Sequence, residues 1–87
     1  MTEVVIAGAA RTPIGAFGGG LSSLSGADLG VIAIKEALSR AKVDAEEVDE
    51  AILGQVLTAA AGMNPARQAA IGAGIPKERT ALTINQV

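Results

Sequence analysis

Thr80-Ala81-Leu82-Thr83-Ile84-Asn85-Gln86-Val87 closes the sequence. The stretch follows a helix-stop signal, Gly74 and Pro76, and is rich in β-branched and aliphatic residues, so it reads as a strand. In α/β proteins the carboxyl end of a strand is where reactive groups are mounted. No turn, cap or polar tail follows Val87. The expectation is the opening piece of a larger enzyme, stopping just short of its chemistry.

Working back from that strand, Asn64-Pro65 is the strongest local signal: an N-cap residue followed by proline at the first helical position. A helix over 65–73 would pack through Ala66, Ala69, Ala70 and Ala73, with Gly74 as its stop. Ahead of it, Ala51-Ile52-Leu53-Gly54-Gln55-Val56-Leu57 reads as a strand, its Gly54 pointing to a close neighbour. Asp44-Ala45-Glu46-Glu47 has capping-box spacing and predicts a short turn. Ser25-Gly26-Ala27-Asp28 has the same spacing and opens a predicted helix over 26–42, with Glu36 and Arg40 paired at i and i+4. Two apolar lines on that helix predict a sheet on one side and partial cover on another. Val4-Val5-Ile6-Ala7-Gly8-Ala9-Ala10 is apolar without alternation, as in a strand covered on both faces. The order strand, helix, strand, helix, strand predicts an α/β fold of right-handed βαβ units with a mainly parallel sheet.

An 87-residue chain is at most one small domain. Its apolar fraction is 49%, yet much of that is alanine, Phe17 is the sole aromatic residue and there is no cysteine, so independent stability is doubtful. The net charge of −2 leaves no basic footprint for nucleic acid, and the lack of aromatics removes stacking platforms. No apolar run is long enough for a bilayer, and residues 1–10 lack the basic start of a secretory signal. A cytoplasmic protein is expected. Without His or Cys, the chain carries neither the commonest general base nor the commonest strong nucleophile, and it lacks most zinc ligands.

The loop from Ile14 to Leu24, with Gly15, Gly18, Gly19 and Gly20, matches neither the dinucleotide fingerprint nor the P-loop. A structural or ligand-framing loop is the expectation. Glu46, Glu47, Asp49 and Glu50 lack EF-hand spacing and read as a solvated turn. Arg11 follows the first apolar run. Arg67 sits in the first turn of a helix, where the dipole disfavours a cation. A buried ion pair or subunit contact would explain either arginine; ligand contact is the alternative.

Taken together, these motifs resemble one family. Ala9-Ala10-Arg11-Thr12-Pro13-Ile14-Gly15-Ala16-Phe17-Gly18-Gly19 resembles the opening of a thiolase, the acetyl-CoA C-acetyltransferase family. Gly54-Gln55-Val56-Leu57, then Gly62-Met63-Asn64-Pro65-Ala66-Arg67-Gln68-Ala69-Ala70, is similar to the family's second strand, loop and helix. Thr83-Ile84-Asn85-Gln86-Val87 resembles the strand leading into its nucleophile motif, Cys-Gly-Ser-Gly. Three matches in the right order cover essentially the whole chain.

The resemblance implies that residues 1–87 are the N-terminal part of the first thiolase domain, the βαβαβ start of an αβαβα layered fold. It implies an acyl-accepting cysteine at position 88, so no catalytic residue lies in this chain. The activity implied is condensation of two acetyl-CoA to acetoacetyl-CoA and CoA, or the reverse, through an acetyl-cysteine. No cofactor or metal is implied beyond the coenzyme A thioester substrates. The implied partners are acetyl-CoA, acetoacetyl-CoA, the remainder of a thiolase chain, and further copies in a homodimer or homotetramer. Thr83 and Asn85 become candidate subunit-interface residues, since this strand lies near the family's dimer axis. Met63, Asn64 and Arg67 join them, because their segment resembles one that reaches toward a neighbouring active site. Many relatives carry glutamine where this chain has Met63, which bears on any polar contact there. Three competing readings remain: a degradative 3-ketoacyl-CoA thiolase, a non-catalytic α/β interaction module and a nucleotide-binding half-domain.

Overall fold

A computed structural model describes residues 2–87. Helix α1 spans Gly26–Ala41, a 3₁₀ turn spans Ala45–Glu47, strand β1 spans Glu50–Gly54, helix α2 spans Pro65–Gly72 and strand β2 spans Thr80–Ile84. The two strands pair in parallel, Glu50 opposite Thr80 through Gly54 opposite Ile84. The Gln55 N–H donates to the Ile84 carbonyl at 2.8 Å and carries the ladder one step further. Parallel strands need a crossover, and α2 supplies it.

Both capping boxes predicted from spacing bear on element ends. At α1 the Asp28 N–H donates to Ser25 Oγ at 3.0 Å, and the Ser25 N–H donates to Asp28 Oδ2 at 2.9 Å. At the 3₁₀ turn the Asp44 N–H donates to Glu47 Oε1 at 3.1 Å. Helix α1 stops one residue before the predicted Lys42, because Lys42 turns left-handed at φ 57° and Val43 closes back onto the Leu38 carbonyl at 3.1 Å. Gly74, at φ 93°, ends α2 as its composition predicts, with Ile75 closing onto the Ala70 carbonyl at 3.0 Å.

The core lies between the helices and one sheet face. Inward positions alternate along β1 and β2, with Ala51 buried and Leu53, Ala81 and Thr83 half-buried. Ala51, Ala70 and Ile75 form its centre, joined by Ile34 and Leu53. Helix α1 approaches α2 closely, since a Cβ on Gly30 would sit 3.1 Å from Ala69 Cβ and 3.2 Å from Leu53 Cδ2. Small residues on both sides permit that spacing. The opposite sheet face, at Ile52, Leu82 and Ile84, is exposed.

The strands read over 51–57 and 80–87 stop early, at Gly54 and Ile84, and two further expectations need correction. Residues 4–10 form no strand. A strand needs a ladder partner, and no backbone–backbone hydrogen bond reaches this stretch among the described residues. It lies against α1 instead: Arg40 Nη1 donates to the Ala9 carbonyl at 3.0 Å, and a Cβ on Gly8 would come within 2.8 Å of the Ala37 carbonyl oxygen. The sheet therefore has two strands among the described residues, where three were expected, while the α/β class and the parallel pairing hold. Gly54 also has no close neighbour; a Cβ there would meet Ile84 only at 3.9 Å, an ordinary contact.

Candidate functional site

Pro65 has no N–H, so the first turn of α2 presents the amides of Ala66 and Arg67 for capping. Asn64 Oδ1 accepts the Arg67 N–H at 3.3 Å, the N-cap bond its position predicts. The Ala66 N–H goes elsewhere, to Thr83 Oγ1 at 2.9 Å. Thr83 in turn donates its hydroxyl proton to Asn64 Oδ1 at 2.6 Å, and Asn64 Nδ2 donates to the Ala81 carbonyl at 3.2 Å. Helix start and strand end are thus joined by side-chain bonds on both sides.

Arg67 points back along the connector to β2. Its Nη2 donates to the Arg79 carbonyl at 2.7 Å and its Nη1 to the Lys77 carbonyl at 3.4 Å. Arg79 continues the series, its Nη2 donating to the Glu46 carbonyl at 2.8 Å. A structural role for Arg67 is realised, through backbone carbonyls and not through the ion pair considered from sequence. The ion pair formed among the described residues is Arg40 with Glu36, 3.0 Å apart and exposed on both sides.

Gln68 fixes the loop ahead of α2. Its Nε2 donates to the Ala61 carbonyl at 2.8 Å and to the Met63 carbonyl at 3.0 Å, while Gly62 turns at φ 83° beneath it. The Met63 side chain stands 90% exposed on this anchored backbone. Asn85 and Gln86 are exposed beyond the end of β2. Of the five candidate residues, the structure brings Asn64 and Thr83 into one network and puts Arg67 beside it. Met63 and Asn85 keep free side chains.

Arg11 is exposed beside an open groove of about 540 Å³ between residues 10–13 and the α1 face at Ile32, Glu36 and Ser39. The glycine loop is a chain of turns, Gly19 onto Ala16, Ser22 onto Gly19 and Leu24 onto Leu21, each near 3 Å. Among the described residues no group of His, Cys, Asp or Glu is placed to hold a metal ion, and no helix is long and apolar enough to cross a membrane.

Such a unit, a parallel crossover whose last strand is clamped to a helix start, is of the α/β kind that places its sites beyond the carboxyl ends of the strands. Residues 4–87 match the family model described as the thiolase N-terminal domain. The chain is 58% identical over 87 residues to an acetyl-CoA acetyltransferase of Clostridioides difficile, covering all of this chain and 81% of that protein. It is 58% identical over 87 residues to the acetyl-CoA acetyltransferase of Cupriavidus necator, covering 22% of that protein. In structure it is similar to the Acat5 thiolase of Ascaris suum, solved in complex with coenzyme A, with a TM-score of 0.92 and 45% identity over 94% of this chain and 22% of that one. The chain belongs to the thiolase family. It spans about a fifth of the length of most of the curated relatives that it matches.

Proposed function

We propose that the full-length protein is an acetyl-CoA acetyltransferase, joining two acetyl-CoA into acetoacetyl-CoA and CoA, or running the reverse. The observation that carries this reading is identity of 58%, over all 87 residues of this chain, with relatives of that name. A cysteine at position 88, immediately after Val87, is the proposed nucleophile. Its thiolate attacks the thioester carbonyl of acetyl-CoA and expels the CoA thiolate, which takes up a proton. The acetyl group then passes to the α-carbon of a second acetyl-CoA, whose α-proton leaves to a base. The sulfur–acetyl bond breaks as the carbon–carbon bond forms.

The residues of this chain contribute support. Strand β2 sets the direction in which the chain runs on toward position 88, and α2 holds that strand through Asn64 and Thr83. A thiolate between a strand end and a helix start is favoured by the helix dipole and amide donors, which also hold a thioester oxyanion. This chain by itself supplies neither thiol nor base, and we expect no activity from it alone. A homodimer or homotetramer belongs to the same proposal. Met63 and Asn85, whose side chains are exposed, are the candidates best placed to meet a neighbouring subunit; Asn64, Arg67 and Thr83 would act there while engaged within their own chain.

Thiolysis of acetoacetyl-CoA by the full-length protein tests the reading, followed as loss of enolate absorbance on adding CoA. Turnover that falls steeply for longer 3-ketoacyl-CoA substrates supports it. Preference for the longer substrates would establish the degradative thiolase instead, and no turnover of either would refute acyl transfer.

A further inference from the structure

We infer that Thr83 is a positioning residue: with Asn64 it forms a polar latch that fixes the direction in which β2 delivers position 88. The role of position 88 rests on the proposed thiolase reading; the latch itself does not. A threonine hydroxyl has one proton to give and two lone pairs. Thr83 gives its proton to Asn64 Oδ1 at 2.6 Å and accepts the Ala66 N–H at 2.9 Å. Asn64 uses both ends of its amide, accepting from Thr83 and Arg67 and donating to the Ala81 carbonyl.

Capping alone does not require this arrangement. An N-cap residue ordinarily has extended backbone, as Ser25 does at φ −78° and ψ 167°. Asn64 is held at φ 44° and ψ 80°, a left-handed conformation that asparagine tolerates better than most residues. In that conformation its amide reaches across to β2 while still capping α2. Such a conformation persists only where the surroundings over-determine it. Here they are bonds to residues 17 and 19 positions away.

Among the described residues, Thr83 is the last whose side chain makes a hydrogen bond before the end of the chain. After Ile84 no ladder bond is formed, and residues 85–87 are exposed without regular structure. At about 3.3 Å per residue, position 88 lies at most about 16 Å beyond Thr83. A tilt of about 5° at the latch then moves it by up to about 1.4 Å, and a misplacement of about 1 Å can cost about 100-fold in rate.

The test uses the full-length protein with Thr83→Val, which keeps shape and β-branching but has no hydroxyl, and with Thr83→Ser, which restores it. Thiolysis kinetics and amide hydrogen exchange of Ala66, Arg67, Thr83 and Ile84 are read together. For Thr83→Val we expect kcat to fall about 10-fold or more with KM within about twofold, and faster exchange at these amides; Thr83→Ser should return both toward wild type. A Thr83→Val protein with unchanged kcat and exchange, even if it melts earlier, would overturn the latch, as would a serine variant no better than valine. Should Thr83→Val not fold, Asn64→Asp keeps the acceptor bonds, loses the donation to the Ala81 carbonyl and sets a carboxylate oxygen against that carbonyl instead. Reduced kcat at constant KM is then expected, and an unchanged kcat overturns the proposal. If the wild-type protein shows no thiolysis, the acyl-transfer reading fails by itself. The latch then stands if valine speeds exchange at Ala66 and serine does not, and falls otherwise.

Discussion

Consider the 87-residue chain produced by itself, without the polypeptide that its longer relatives carry. It exposes 6541 Å². A folded monomer of its 8.6 kDa mass exposes about 4,700 Å². The excess is about 1,800 Å², of which about 1,000 Å² is apolar at the usual composition of protein surfaces. At about 25 cal/mol per Å², that is about 25 kcal/mol of hydrophobic stabilisation left unused, more than the whole net stability of a typical domain, about 5–15 kcal/mol. The buried hydrophobic side chains point the same way, being Ala51, Ala66, Ala69, Ala70, Ala73 and Ile75. Scanning calorimetry of the isolated chain should therefore show no cooperative transition, and its NMR amide spectrum should be poorly dispersed. A monomer by gel filtration with one sharp transition, near the roughly 60 kcal/mol expected for a chain of this length, would refute the reasoning. That result would favour the independent interaction module.

Within the full-length protein, Ser25→Ala should loosen the first turn of α1 by about 1 kcal/mol, because it removes one of the two capping-box bonds; amide exchange of residues 26–29 reads the change. Arg67→Met keeps the stem of the side chain and removes the donations to the Lys77 and Arg79 carbonyls. It should cost about 1.5–3 kcal/mol, the range for hydrogen bonds from a charged donor, measured as a shift in urea midpoint at constant slope.

Much of the fold is legible because its signals are local. Asn64-Pro65, Gly74 and the two capping boxes are spelled by neighbouring residues, and each marks an element end to within about two residues. The strand expected over 4–10 fails because ladder formation is not local. Apolar β-branched residues make a strand possible, and only a partner makes it one. Gly54 has no close neighbour for a related reason, since a glycine records permission for close approach and not the approach itself. The latch was within reach of an accounting argument. Pro65 removes one first-turn donor and Asn64 caps another, so the Ala66 N–H needs an acceptor from outside the helix. Thr83 is a short hydroxyl on the inward face of the next strand. The left-handed turn of Asn64 and the clasp of Gln68 on the loop carbonyls left no such trace.

The most direct measurement is peptide mapping by mass spectrometry of the full-length protein, mixed briefly with acetyl-CoA and quenched in acid. A single acetyl group should appear on a cysteine immediately after Val87, and added CoA should discharge it. Another residue type at that position, or acetylation confined to other sites, would contradict a strand built to present the nucleophile.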